Sequence, residues 1–286
     1  MSRSVIGQSA LRCASVLAVA ALLSGGVPAV AADAERDAAL RRGAAAYTDL
    51  ERQTVEKLGT ALDALVSDPA IVQAFRARDR EKLLAIARPR FAKLAEQNIT
   101  HWYFHEPEPA RTCFLRVHSP VLHGDVVERQ TLSQAIASHQ IGYGKELGKT
   151  AFAVRVVKPI RSGKTVIGYM ELGEEIDRFL ERIKAQTGDD FGLLVDKNRV
   201  DRKELARVRG EDRWDDRPDV VLIDSTVWND RHVELPMSLA ELPEDGTFVS
   251  EWKEGKRVFA GGAFPVRDAG NQVVGALFVR HRMQAP

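Results

Sequence analysis

Two stretches of the chain are alike, and this repeat limits the fold more than any other feature. Residues 153–172 ("AVRVVKPIRSGKTVIGYMEL") align with residues 259–279 ("FAGGAFPVRDAGNQVVGALFV"), with one residue inserted in the second turn. A proline cannot donate a ladder hydrogen bond, so the proline in each copy marks a strand end, and the glycine after it marks a turn. The repeat predicts two tandem modules, each closed by a hairpin. The matched residues are Pro159 and Pro265, Arg161 and Arg267, Gly163 and Gly270, and Gly168 and Gly275.

A long helical arm precedes the first copy. Ser67 or Asp68 can cap a helix that restarts at Pro69, and Pro89 breaks or kinks the following segment, 79–97. Apolar residues recur at three- and four-residue steps, as they do along one face of a helix. We expect an amphipathic scaffold whose face is formed by Tyr47, Leu50, Thr54, Leu58, Ala61 and Leu65.

After Asn98 the sequence changes to short β-branched and aromatic runs separated by turns, which predicts an α+β fold with antiparallel sheets. We divide the chain into a helical scaffold (33–97), a first module (98–187) and a second module (188–286). The expected strands are 99–105, 112–118, 151–159, 165–172, 191–196, 219–224, 247–253, 256–264 and 272–281, and the expected helices are 126–138, 174–187 and 202–208.

The first 32 residues have the three parts of a secretory leader. Arg3 and Arg12 supply positive charge, "CASVLAVAALL" (13–23) is apolar, and "AVAA" ends in small residues at Ala32. The apolar run is shorter than the roughly 20 residues that a membrane span needs. We therefore expect a periplasmic or secreted protein cleaved near Ala32, with an uncleaved membrane anchor as the alternative.

Charge and cysteine content exclude several classes of protein. The 41 basic and 40 acidic residues are mixed along the chain, so no basic footprint for nucleic acid is present. Removal of the leader leaves Cys113 alone, so no intramolecular disulfide is expected. We expect Cys113 to pack as a small buried hydrophobe.

Histidines crowd into the start of the first module, in "HWYFH" (101–105) and shortly after it. On a strand His101, Tyr103 and His105 share one face, and His101 and His105 lie about 13 Å apart, too far to bind one metal ion. No C-x-x-C-H motif for covalent haem is present. A periplasmic metal- or haem-binding protein that uses His101, His105, His118 and His123 remains the alternative to a ligand pocket.

The next strand, "TCFLRVH" (112–118), divides in the same way. Alternation places Cys113, Leu115 and Val117 on an apolar face, and Phe114, Arg116 and His118 on the other. The second face is either a solvated surface or the lining of a pocket. The repeated pairing of charged with aromatic residues favours the pocket.

Charged residues farther along could either support the fold or line the pocket. Asp125 can cap the helix expected at 126–138, and Arg129 can bind an anion. Arg155 and Glu171, nearly opposed across the hairpin, form either an ion pair that supports the fold or a polar floor for the pocket. The matching positions of the second module are Gly261 and Phe278, so that module lacks these charges.

No catalytic signature is present: the chain has no nucleophile elbow, P-loop, H-E-x-x-H or kinase motif. The acidic pairs in "GDD" (188–190) and "WDD" (214–216) lie in turn-like contexts. We expect a protein that is not an enzyme and that needs no cofactor.

The chain resembles the double Cache extracellular sensor domains of bacterial chemoreceptors and histidine kinases. The long first helix, the two modules and the turn pattern "PIRSGKTVIG" (159–168) carry this resemblance. More narrowly, "FLRVHSPVLHGD" (114–125), "ERQTL" (128–132), "GKELGKTAFAVRVVKPI" (144–160) and "GYMELG" (168–173) resemble the subclass with an F-L-R…P…G-D signature in its membrane-distal module.

The resemblance implies two tandem PAS-like modules and a ligand pocket in the first, roofed by its short helix and loops. Two pocket arginines favour an anionic, carboxylate-like ligand. Family members usually continue into a second transmembrane helix and an output domain, whereas this sequence stops at Pro286, so we expect a membrane receptor or kinase to receive the signal. A homodimer through the N-terminal helix is left open. The expected ligand-binding residues are Tyr103, His105, Arg116, His118, Asp125, Arg129, Tyr143, Glu146, Arg155 and Glu171.

Overall fold

The N-terminal arm consists of three helices. The computed structural model describes residues 26–148, 152–209, 213–227 and 230–284. Helix α1 spans Gly26–Val66, α2 spans Pro69–Arg76 and α3 spans Arg80–Ala95. The Asp68 side chain accepts hydrogen bonds from the backbone at the start of α2, so the restart predicted at Pro69 is confirmed. Pro89 lies inside α3 rather than ending it.

Helix α1 packs against both halves of the chain. It contacts strands of each sheet, and Tyr47, Leu50, Leu58 and Leu65 are buried along one face as expected. Most of the expected leader lies outside the described residues. Within the described part, no helix combines the length and the apolar character that a membrane crossing would need.

The first five-stranded sheet forms one α+β module. Its strands are all antiparallel and lie in the order β2-β1-β5-β4-β3. Helix α4 follows the second strand along the chain, and α5 follows the fifth. The bounds are β1 His101–His105, β2 Cys113–Arg116, α4 Gln130–Ser138, β3 Gly142–Leu147, β4 Phe152–Ser162, β5 Thr165–Glu175 and α5 Asp177–Thr187.

The second sheet repeats the arrangement of the first. Its order, β7-β6-β10-β9-β8, is that of the first sheet with each strand replaced by its counterpart five strands later. The α+β fold with a long first helix and two antiparallel modules is therefore confirmed. The bounds are β6 Asp190–Asp196, α6 Arg202–Arg209, β7 Val220–Ser225, β8 Thr247–Glu254, β9 Arg257–Arg267 and β10 Val273–Arg282.

The repeated glycines Gly168 and Gly275 lie where other groups approach the strand backbone closely. A Cβ atom on Gly168 would come within 2.4 Å of the Phe75 ring, and one on Gly275 within 2.2 Å of the Leu194 carbonyl oxygen. In the first hairpin turn Gly163 has a left-handed backbone, but in the second turn Asn271 takes that conformation instead of Gly270. The alignment was right about the hairpin and wrong about which residue makes the second turn.

The tip of the second hairpin contacts the first module. Ala269 donates its backbone N–H to the Lys145 carbonyl on β3 at 2.7 Å, and Gln134 on α4 donates to the Ala269 carbonyl at 3.1 Å. A Cβ atom on Gly144 would lie 2.8 Å from the Ala269 side chain, so this glycine permits the approach. The turn at 268–271 is thus a contact between the two modules.

Candidate functional site

The aromatic residues of β1 divide between its two faces as expected. The rings of His101, Tyr103 and His105 stack in one row, with centroids 5.9 and 5.6 Å apart. Trp102 and Phe104 are buried in the core on the opposite face. The row of rings forms one wall of the candidate site.

A β-bulge changes which face the residues of β2 occupy. Arg116 pairs with Tyr103, but Cys113 pairs with His105, so Phe114 is the extra residue. Cys113 therefore packs beside Tyr103, while Phe114 packs edge-on against Phe75 on the helix side. The expected alternation was wrong at these two positions. Cys113 is buried as expected, and burial raises the pKa of its thiol to about 12.

Glu171 is the centre of the buried charges. One carboxylate oxygen accepts hydrogen bonds from Arg155 at 2.7 Å and Arg129 at 2.5 Å, and the other lies 2.9 Å from His105 Nε2. Burial opposes ionisation of Glu171, but the two guanidiniums and His105 outweigh it and hold its pKa well below the usual value. The carboxylate is therefore ionised throughout the physiological range.

Arg155 reaches Glu171 diagonally rather than from the opposed position that the sequence suggested. Arg155 pairs with Gly173, and Val157 pairs with Glu171. A Cβ atom on Gly173 would lie 3.3 Å from Arg155 Nη1, so the glycine leaves room for the guanidinium. In the second module Phe278 packs within 2.6 Å of the Cβ position of Gly261, so an aromatic ring occupies the space that holds charges in the first module.

Three guanidiniums surround the Tyr103 ring. Their central carbons lie 4.7 Å (Arg129), 5.4 Å (Arg116) and 5.6 Å (Arg155) from its centroid. Cations are attracted to the face of an aromatic ring at such distances. We call this set the charged cluster, formed by Tyr103, His105, Arg116, Arg129, Arg155 and Glu171.

Arg116 is held by the loop that leads to α4. It donates two hydrogen bonds of 2.7 Å to the two oxygens of Asp125, and a third, of 2.8 Å, to the Leu122 carbonyl. The Arg116 side chain is 14% exposed, whereas that of Asp125 is 55% exposed. Asp125 does not cap the helix, because α4 begins at Gln130 and Arg129 is the residue before its first turn.

Glu146 on β3 caps α4 from outside the helix. Its carboxylate accepts a hydrogen bond of 2.5 Å from the Thr131 backbone N–H and lies 3.9 Å from Arg129 Nε. The Arg129 side chain makes no capping bond of its own. Burial raises the pKa of Glu146. Strand β3 was missing from the sequence prediction, so this contact could not be anticipated.

Two histidines beside the cluster are kept neutral. The rings of His101 and His118 are 4.8 Å apart, and His118 Nδ1 accepts a hydrogen bond from the Trp102 N–H. Burial, followed by the charge of Arg155, lowers the pKa of His118 to about 4 and that of His101 well below its usual value. His101 was not among the expected site residues, although its alternation with Tyr103 could have placed it there.

Tyr143, an expected ligand-binding residue, and His123, a residue of the alternative metal site, lie away from the cluster. Tyr143 is 54% exposed on the edge strand β3, and His123 is exposed on the loop before α4. Of the four histidines of the alternative metal or haem site, His123 therefore lies apart from His101, His105 and His118. Within the described ranges, no group of three or more histidine, cysteine, aspartate or glutamate residues is placed to hold a metal ion.

Residues 34–218 match the sequence profile of dCache_3, a family described as the double sensory domain of two-component sensor kinases. The chain belongs to this double Cache family. Its members are sensory domains, so a sensor role holds for this double Cache chain as well. No curated protein sequence matches it.

Several solved structures are similar to this double Cache chain at low sequence identity. The ligand-binding domain of the Campylobacter jejuni chemoreceptor Tlp3, in complex with 4-methylisoleucine, aligns with a TM-score of 0.52 at 10% identity, over 93% of this chain and 96% of that one. The Vibrio cholerae LuxQ periplasmic domain gives 0.47 at 11% identity, over 87% and 99%. The V. cholerae histidine kinase DctB sensor domain gives 0.49 at 11%, over 88% and 97%. At such identities the likeness to Tlp3 shows the shared fold.

Proposed function

We propose that this chain is an extracytoplasmic sensor whose first module, 98–187, binds a small molecule that carries a carboxylate. The ligand binds at the charged cluster, and a membrane receptor or kinase receives the signal. In this proposal the cluster lies in the membrane-distal module, the second module (188–286) is membrane-proximal, and the F-L-R…P…G-D signature marks the ligand-binding subclass. The helical scaffold, 33–97, joins the two modules.

The pairing of Arg116 with Asp125 supports this proposal most directly. Arg116 is nearly buried, yet its carboxylate partner lies on a loop and is more than half exposed. A carboxylate of a ligand has the same planar shape and charge as the Asp125 side chain, so it can take its place in the bidentate contact. Asp125 would then occupy the site as an internal substitute for the ligand.

The other two arginines of the cluster are less suited to this exchange. Arg129 and Arg155 both bind Glu171, which is fully buried on β5 and cannot leave the site without unfolding its strand. They hold the floor of the site and orient Tyr103. Arg116 is the member of the three whose partner is carried by an exposed loop.

The chemistry of one relative agrees with a carboxylate ligand. The Tlp3 domain was solved with 4-methylisoleucine, an amino acid that carries a carboxylate. The identity of 10% is too low to transfer any of its binding residues to this chain. The class of ligand therefore rests on Arg116.

A thermal-shift screen of carboxylates, with amino acids and dicarboxylates included, tests the proposal. A ligand at about 100 times its dissociation constant should raise the melting temperature by about 5–10 °C. Arg116→Ala should remain folded by circular dichroism and lose most of this shift. The control, Arg52→Ala on the exposed face of α1, should keep the whole shift.

Arg116→Lys separates ligand binding from folding. This variant keeps the positive charge but not the two-pronged geometry, so it should fold and bind weakly. A full ligand response in Arg116→Ala or Arg116→Lys would show that the site lies elsewhere. The absence of any stabilising carboxylate would overturn the proposed class of ligand.

A further inference from the structure

The second module contains an open cleft of about 790 Å³. Ligand sites in proteins usually have volumes of about 300–1,000 Å³, so the cleft is large enough for a small molecule. Its walls are the ends of β6 and β7, the segment 234–240 and the hairpin between β9 and β10. The charged cluster lies in the other module, so the cleft is a separate feature.

The cleft lies on the face of the second sheet that is equivalent to the face of the first sheet carrying the charged cluster. Phe278 and Leu194 belong to the apolar cluster on this face. Asp196 lies two residues beyond Leu194 on β6 and so points to the same face. A bulge between Val273 and Gly275 gives Val273 a place in the cleft wall. Phe278 thus fills the position equivalent to Glu171, and the cleft lies on the same face farther along the strands, at Asp196 and Val220.

Carboxylates outnumber guanidiniums in the cleft. Its lining includes four acidic side chains and two arginines. Arg267 is already paired with Glu244, which is outside the lining, and Arg217 donates to the Val233 carbonyl at 2.6 Å. Two of the four carboxylates, those of Asp219 and Glu234, form no ion pair with any residue that the structure describes.

The cleft is also partly apolar. Leu235, Met237 and Leu239 line it and are only partly covered by their own module, and buried Val220 adds to the same wall. A bare metal ion would gain nothing from these side chains, and the described residues form no metal-binding group of three. A molecule that combines a positive charge with an apolar part would satisfy both kinds of lining.

We propose that this cleft is a second binding site, for a small organic ammonium ion with an apolar portion. The uncompensated carboxylates of Asp219 and Glu234 attract the ammonium group. Leu235, Met237 and Leu239 cover the apolar portion, and the thioether of Met237 adapts to its shape. This site is independent of the carboxylate site proposed for the first module.

Methionine methyl NMR with phenethylammonium as the probe tests this site. The Met237 methyl group lies in the cleft, whereas Met170 is buried in the core of the first module and serves as an internal control. Phenethylammonium should shift the Met237 resonance in a saturable manner and leave Met170 unchanged. The neutral analogue 2-phenylethanol and the anion 3-phenylpropionate should bind more weakly, in that order. Equal responses to all three probes, or no response of Met237, would overturn the proposal.

Variants of the two carboxylates provide the second arm. Glu234→Gln and Asp219→Asn should each weaken phenethylammonium binding about two- to fivefold, as expected for charge pairs formed by exposed carboxylates. The control Glu96→Gln, an exposed carboxylate at the end of α3, should leave the affinity unchanged. Added salt should weaken binding by the wild type more than by the double variant. A double variant with wild-type affinity would contradict the assignment.

Discussion

His105 Nε2 lies 2.9 Å from Glu171 Oε2, and neither side chain is exposed to solvent. The other oxygen of Glu171 accepts from Arg129 and Arg155. One carboxylate therefore forms ion pairs with two guanidiniums and a hydrogen bond with a buried imidazole. Removing Glu171 would leave the buried guanidinium of Arg155 without its ionic partner, which is strongly destabilising.

We predict that Glu171→Gln lowers the free energy of unfolding by about 3–5 kcal/mol, because Arg155 loses its ionic partner while it stays buried. Urea denaturation followed by circular dichroism measures this change. Glu128→Gln, an exposed carboxylate on the loop before α4, is the matched control and should change stability by about 0.5 kcal/mol or less. A loss below about 1 kcal/mol for Glu171→Gln would mean that the network contributes little to the fold.

The buried histidines predict a loss of stability in acid. The pKa values of His101, His105 and His118 are lowered, chiefly by burial, and that of His118 falls to about 4. Unfolded histidines take up protons below about pH 6.5 while the folded ones do not, so stability falls as the pH drops from 6.5.

For His118 alone, the loss between pH 6.5 and 5 should be about 1–2 kcal/mol. Urea denaturation at pH 7, 6 and 5 measures it. His118→Gln should show a smaller decrease over this interval than the wild type. A stability that is constant from pH 7 to 5 would contradict the neutral state of these histidines.

His281 should show the opposite dependence on pH. Its Nδ1 lies 2.6 Å from Asp189 and its Nε2 lies 3.3 Å from Glu35 on α1, and these contacts, that with Asp189 first, raise its pKa. Its contribution is therefore fully present below about pH 6.5 and is lost as the pH rises through the raised value. The stability difference between the wild type and His281→Gln should be larger at pH 6 than at pH 8.5. A difference that grows with pH would contradict this assignment.

The proposed exchange of Asp125 for a ligand carboxylate at Arg116 predicts that removing the Asp125 charge increases the affinity for the ligand. Asp125→Asn removes the internal competitor for the guanidinium, so a carboxylate ligand should bind about two- to fivefold more tightly, although the contact with Asp125 is lost. Calorimetric titration with a ligand from the thermal-shift screen measures the affinity. Glu128→Gln on the same loop should leave it unchanged. Weaker binding by Asp125→Asn would show that Asp125 assists the ligand instead of competing with it.

The repeat and the local patterns were sufficient to predict the architecture. The two hairpins, the face of α1 from Tyr47 to Leu65, and the row formed by His101, Tyr103 and His105 all follow from periodicity over a few residues. Such patterns reflect which side of an element is buried, and this is encoded locally.

The contacts of the site depended on features that are not local. The bulge at Phe114 reverses the alternation of β2, because one extra residue moves a side chain to the other face. Strand β3 contains Gly142 and Gly144, which are more typical of a loop, so the strand was not predicted. The hydrogen bond by which Glu146 on β3 caps α4 could therefore not be predicted either. Asp125 was interpreted as a helix cap from its position in the sequence, and its contact with Arg116 on β2 could not be predicted from that position.

The turn at 268–271 has a consequence for communication within the molecule. Ala269 is hydrogen-bonded to β3, which carries Glu146, and to α4, which directly follows Arg129 of the charged cluster. Asn271 in the same turn lines the cleft of the second module. A displacement of α4 that moves this turn also reshapes the cleft wall. Thermodynamic linkage makes such an effect mutual: a molecule in the cleft would change the affinity at Arg116 by the same factor as a ligand at Arg116 changes the affinity of the cleft.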